Sequence, residues 1–131
     1  MKKLLLILLL SIPAALFAPV NERIYIEQFE PLTIYDRLIT AIYQVETNGG
    51  VYIFNPEECA RGPLQIRPIR LNDFNQRTGK NYQGVDCYDY QKAREIFLYY
   101  CKGRSFEVCA REWNGKWSLT EGYWKRVSKY L

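Results

Sequence analysis

Apolar residues fall at helical spacing in one short stretch after another of this chain, and glycine or asparagine interrupts the pattern between several of them. From about Thr33 to Glu46, the residues Ile34, Leu38, Ala41, Ile42 and Val45 share one helical face, and Thr33 with Asp36 resembles a capping box. Thr47-Asn48-Gly49-Gly50 then stops the helix, because asparagine and glycine tolerate the left-handed conformation. Val51 to Gly62 reads as irregular, with at most a short strand pair around Val51–Phe54. A second helix is expected from Ile66 or Pro68 to Gly79, with Ile69, Leu71 and Phe74 turned inward, and a loop follows to Asp86. Asp89 opens a third helix reaching Cys101, with Ala93, Ile96, Phe97 and Tyr100 on one face. Ser105 caps a fourth over Phe106–Trp113, Asn114-Gly115 breaks it, and Thr120 caps a last helix through Tyr123, Val127 and Leu131. The expected fold is mainly α, a small helical domain over residues 33–131 with at most a short strand pair. A chain of 131 residues, 48% of them hydrophobic, is enough for one core and leaves little room for two.

Residues 1–18 stand apart from this pattern. Lys2 and Lys3 precede an unbroken apolar run from Leu4 to Leu10, and Ser11, Pro13, Ala14, Ala15 and Ala18 then supply small residues and a breaker. That order predicts a secretory signal and an exported chain. The apolar stretch ends at Ala18, short of the roughly 20 residues a membrane-spanning helix needs. Leu16 and Pro19 make an imperfect cleavage site, so retention of the segment as a membrane anchor stays open. Residues 19–32 read as an N-terminal arm in which Ile24, Tyr25, Ile26 and Phe29 can pack on the domain.

The formal charge is +4, of which Lys2 and Lys3 carry two, leaving +2 on the remainder. So mild an excess, without a run of Arg or Lys, gives no footing for nucleic-acid binding. Four cysteines, Cys59, Cys87, Cys101 and Cys109, suggest two disulfides in an exported chain, with three pairings possible. Cys101–Cys109 would staple consecutive helices and leave Cys59–Cys87 to hold the central loops. With no histidine and no CxxC, the sequence gives little support to a zinc site. Eleven tyrosines and three tryptophans exceed what so small a core consumes, and such side chains often line a groove.

Glu46 is the most informative titratable residue. It stands at the carbonyl end of a helix, which disfavours its charge, and an apolar pocket there would disfavour it further. A carboxyl held protonated near neutral pH is what a general acid requires. Gly62-Pro63-Leu64-Gln65-Ile66 places a glutamine inside an apolar run, where its amide can bind a sugar or orient a carboxylate. Trp113-Asn114-Gly115 offers an aromatic ring and an amide at a helix end. As a second carboxylate, Glu57, Glu58 and Asp73 come into consideration, and none has a compelling spacing.

Taken in order, Glu46-Thr47, Gly62-Pro63-Leu64-Gln65, Trp113-Asn114-Gly115 and Tyr123 resemble the pattern of the lytic transglycosylases and goose-type lysozymes. That pattern is a Glu-Ser ending the first helix, a later Gly-Leu-Met-Gln, an aromatic-Asn before a glycine, and a late tyrosine. The likeness spans roughly residues 36–131. Thr47 stands here in place of serine, Pro63 and Leu64 interrupt the second motif, and Trp113 replaces the usual tyrosine. The resemblance implies a lysozyme-like fold and cleavage of peptidoglycan between N-acetylmuramic acid and N-acetylglucosamine. Glu46 would act first as acid and then as base, forming 1,6-anhydro ends. It implies substrate contacts from Thr47, Gln65, Trp113, Asn114 and Tyr123, with Tyr52 and Tyr100 as further walls. Neither metal nor organic cofactor is implied. The implied partner is the glycan strand, met by a monomer in the periplasm or cell envelope or after secretion, with membrane contact only if the leader is retained. A lysozyme-type hydrolase and a non-catalytic binding domain on the same scaffold are the alternatives.

Overall fold

The computed structural model describes residues 32–131, apart from the Trp117 side chain. The expected leader and all of the arm before Leu32 lie outside the described residues. Helix α1 (Tyr35–Thr47) is followed by a two-stranded antiparallel sheet, β1 (Phe54–Asn55) and β2 (Ala60–Arg61), with Phe54 opposite Arg61 and Asn55 opposite Ala60. Helix α2 (Pro68–Thr78), a 3-10 turn at Gly84–Tyr88, α3 (Tyr90–Cys101), α4 (Phe106–Asn114) and α5 (Glu121–Val127) complete the domain, with further 3-10 turns at Trp117–Leu119 and Ser128–Tyr130. The described chain is mainly α, as its periodicity predicts.

Helix α1 is the spine. Its Leu38, Ile39, Ala41 and Ile42 are fully buried, and it packs against α3, α4 and α5. Burying each Leu or Ile side chain contributes about 2 kcal/mol. The core closes around these residues with Leu64 and Ile66, Phe74 of α2, Ile96 and Phe97 of α3, Trp113 of α4, and Tyr123 and Val127 of α5. Asp36 of α1 also anchors α3. Arg94 donates to its two oxygens at 2.7 and 3.0 Å, in a pair almost closed to solvent.

Several local expectations change. Helix α1 starts at Tyr35, and its N-terminal residue Ile34 makes no side-chain cap; the Asp36 carboxylate instead accepts from the Thr33 backbone and hydroxyl. The strand pair forms after Val51–Ile53, because Tyr52 N–H turns back to the Thr47 carbonyl at 2.9 Å and delays extended pairing until Phe54. Ile69 is 78% exposed, while Leu71 and Phe74 face inward. Two positions along a helix separate nearly opposite faces, so Ile69 and Leu71 cannot both point to the core. Thr120 makes no cap on α5; its buried hydroxyl accepts from Arg111 Nε at 3.4 Å. The caps expected at Asp89 and Ser105 do form, accepting from Lys92 N–H at 2.9 Å and Val108 N–H at 3.3 Å.

The two expected disulfides are not formed. All four cysteines are free, with Cys59 exposed and the others buried. Cys101 and Cys109 lie near each other where α3 gives way to α4, and the Cys109 thiol donates to the Cys101 carbonyl at 3.4 Å. Among the described residues no helix is long and apolar enough to cross a membrane.

Candidate active site

Glu46 sits one residue before the end of α1, and local chemistry fixes that end. The Thr47 hydroxyl donates to the Tyr43 carbonyl at 2.7 Å and accepts from Gly50 N–H at 2.8 Å. Asn48, Gly49 and Gly50 all have positive φ, so the backbone leaves the helix at once. Glu46 is thereby held half-buried at the negative pole of a helix that has no basic residue in its last turn. From α5, 77 residues on, the buried Tyr123 hydroxyl donates to Glu46 Oε1 at 2.7 Å. Burial raises the Glu46 carboxyl above its ordinary value, and the nearby Glu58 charge adds to the rise. The Tyr123 hydrogen bond and the Arg67 and Arg126 guanidiniums oppose it without reversing it. Burial and the neighbouring Glu46 raise the Tyr123 phenol as well, so it remains a donor in either protonation state of Glu46.

The second element of the site is the tight turn after β2. Gly62 has φ +77°, and a Cβ there would lie 1.7 Å from the Cys87 carbonyl oxygen, so only glycine lets the turn pack against the following 3-10 segment. Gly62 N–H donates to the Ile53 carbonyl at 2.8 Å, and Gln65 is itself left-handed at φ +50°. The Gln65 side-chain nitrogen donates to the Gly62 carbonyl at 3.0 Å, which fixes the amide while its oxygen keeps no partner among the described residues. Among the described residues no buried polar side-chain atom lacks a partner, so that oxygen is not sealed in the core.

Helix α4 supplies the third element. Its last carbonyls would be unsatisfied, and arginines at the start of α2 take them. Arg67 Nη2 donates to the Asn114 carbonyl at 2.9 Å, and Arg70 Nη2 to those of Glu112 and Trp113 at 3.1 and 3.2 Å. The Asn114 side chain is half-buried and makes no hydrogen bond among the described residues. Neither the Gln65 nor the Asn114 amide bonds Glu46. Arg67 connects them instead, two residues after Gln65, bound to Asn114, and electrostatically felt by Glu46.

Two expected substrate contacts have other roles. Thr47 is fully buried, and its hydroxyl is committed to backbone, so it shapes the Glu46 turn. Trp113 is 5% exposed, packed edge-on against Phe97 with ring centroids 4.9 Å apart, and its indole N–H donates to the Leu64 carbonyl at 2.9 Å. Apolar bulk draws this ring into the core, where it ties α4 to the turn that presents Gln65. Tyr52 is 65% exposed on the segment leaving Glu46, whereas the Tyr100 hydroxyl is bound to Asp73 at 2.7 Å. Among the candidate second carboxylates, Glu58 alone acts on Glu46, and it is paired with Arg67 at 3.3 Å; Asp73 is held by Arg77. Arg67 and Arg126 escape a reading of the sequence, since their part in the site depends on contacts with distant segments. The only local signal was Pro68, which starts α2 and so fixes where Arg67 projects. Among the described residues no group of three or more His, Cys, Asp or Glu side chains is set to hold a metal ion. No protein-family model, curated protein or solved structure matches the chain.

Proposed function

We propose that the chain is an exported lytic transglycosylase of the lysozyme-like type, acting on peptidoglycan in the periplasm or cell envelope. The observation that carries this reading is the Glu46–Tyr123 pair: a half-buried carboxyl at a helix's negative end, biased towards its protonated form and oriented by a phenol at 2.7 Å. Glu46 protonates the oxygen linking N-acetylmuramic acid to N-acetylglucosamine as the bond from that oxygen to C1 breaks. The resulting carboxylate, steadied by the Tyr123 hydroxyl, draws the proton from the C6 hydroxyl of the same muramic acid. That oxygen bonds C1, closes a 1,6-anhydro ring, and returns Glu46 to its acid form with no water consumed. The open amides of Gln65 and Asn114 are suited to hold sugar hydroxyl and acetamido groups, and exposed Tyr52 to offer a ring face.

A hydrolase of the same bond is the second reading, favoured by the proximity of the Glu58 charge to Glu46. The Arg67 partner of Glu58 argues against its serving as a free base. Mass spectrometry of fragments from purified cell wall separates the two: anhydromuramic ends are lighter by one water than reducing ends. Release of no fragment by a folded protein that binds glycan would sink both in favour of a binding domain.

A further inference from the structure

A cavity of about 410 Å³ opens between α2, α3 and α4, and Glu46 does not line it. Its walls include Arg67, Arg70, Asp73, Tyr100, Arg104, Glu112 and Trp113. Three guanidiniums thus face two carboxylates, and the pairing is specific. Asp73 is taken by Arg77 at 2.8 Å and by the Tyr100 hydroxyl, Glu112 by Arg104 at 2.6 Å, and Arg67 by Glu58 at 3.3 Å. Arg70 makes no close ion pair among the described residues, and the Asp73 charge reaches it only at longer range.

The Arg70 guanidinium is nevertheless held rigidly. It lies 4.2 Å from the Trp113 ring centroid and 5.1 Å from that of Tyr100, and its Nη2 is anchored on two α4 carbonyls. Among the described residues its Nε and Nη1 hydrogens find no acceptor and no buried side-chain nitrogen is unpartnered, so they face the cavity. A partly buried cation whose ordering is already accomplished before binding favours an anion more than a mobile surface arginine does. With one positive charge unmatched and two carboxylates nearby, the cavity suits a single carboxylate and repels a multiply charged phosphate.

We infer that this cavity is a subsite for a carboxylate of the short peptide that N-acetylmuramic acid carries, with Arg70 as its anchor and the Tyr100 and Trp113 rings as its walls. The inference rests on the reading of the chain as a peptidoglycan enzyme. What joins cavity and site is Arg67, which lines the first, acts on Glu46 and holds the Asn114 carbonyl. On this proposal, a muramic acid held beside Glu46 would extend its peptide past Arg67 towards Arg70.

The test uses the full chain carrying Glu46→Gln, which binds without cutting, and a synthetic N-acetyl-L-alanyl-γ-D-glutamyl-L-lysine. Calorimetry with the free acid and with the fully amidated peptide is expected to show about tenfold weaker binding of the amide, the worth of one charge-assisted hydrogen bond. The indole N–H resonance of Trp113 and the Nε–H of Arg70 should shift with the acid peptide. Arg70→Met should remove the preference for the acid. Because the amide is a change on the ligand, the result stands even if that variant fails to fold. Equal affinity for acid and amide, shifts confined to other residues, or no binding at all overturns the subsite. Peptide binding with no cleavage of cell wall by the unmodified chain would instead defeat the enzymatic reading alone.

Discussion

The Tyr123 hydroxyl of α5 donates to Glu46 of α1 across 77 residues at 2.7 Å, and α1 and α5 are packed together in the core. The contact couples a residue placed by a local helix stop to one placed by tertiary packing. It also sets opposing influences on one proton: burial favours the acid form of Glu46, and the phenol favours the carboxylate.

Tyr123→Phe removes the donor and leaves the burial, so the Glu46 carboxyl should rise further. A general acid loses activity as pH climbs through its pKa, hence the alkaline limb of the wall-clearing profile should move to higher pH. The rate should fall about 10- to 100-fold, within the range for a group that positions a catalytic acid. A turbidity assay across pH reads both, and an unmoved limb would argue against Glu46 as the titrating acid.

Glu46→Gln should abolish clearing while the fold survives. A folded-state value raised above the ordinary 4.5 means that the stability associated with protonated Glu46 is complete below pH 4.5 and is lost as pH rises through the raised value. Glutamine does not ionise. The variant should therefore be more stable than the parent at neutral pH and equal to it at pH 4, as urea melts at the two pH values will show.

The Asp36–Arg94 pair has the opposite sign. Hydrogen bonds from Arg94 hold the Asp36 carboxyl down at about 2 from an ordinary 3.8. Its contribution, roughly 2 kcal/mol at about 1.4 kcal/mol per pH unit, is present above pH 3.8 and disappears as pH falls through about 2. Arg94→Met leaves a nearly buried carboxylate unpaired and should cost about 3 kcal/mol at neutral pH. Denaturant titration at pH 7 and pH 2.5 should show that penalty shrinking in acid.

Gly62→Ala forces a Cβ against the Cys87 carbonyl and strains a left-handed residue. A loss of about 3 kcal/mol or more is expected. Trp113→Phe leaves the buried Leu64 carbonyl without its donor and should cost roughly 1–3 kcal/mol. Both changes loosen the turn that carries Gln65, so clearing should fall faster than stability in thermal melts run alongside the assay.

Glutathione disulfide should convert the neighbouring thiols Cys101 and Cys109 to a disulfide, the protein losing two hydrogens as two glutathione thiols are released. Closing so short a loop should stabilise by roughly 2–3 kcal/mol. Peptide mapping without reductant checks the linkage, and a Cys59–Cys87 bond formed in its place would refute the preference.

The amino-acid sequence by itself determined the helical character, the stop after Glu46, and the caps at Asp89 and Ser105, because each depends on hydrogen bonds or side-chain spacing within one or two turns of chain. It also marked Glu46, Gln65, Asn114 and Tyr123 as residues whose chemistry could belong together. Only the tertiary structure decided that Tyr123 reaches Glu46, that Trp113 turns inward to Leu64, that Thr47 is consumed by its own turn, and that Arg67 and Arg70 close the end of α4. Apart from the Thr47 turn, those contacts join segments dozens of residues apart. Their geometry is set by how α1, α2, α4 and α5 share one core, and no local pattern encodes it.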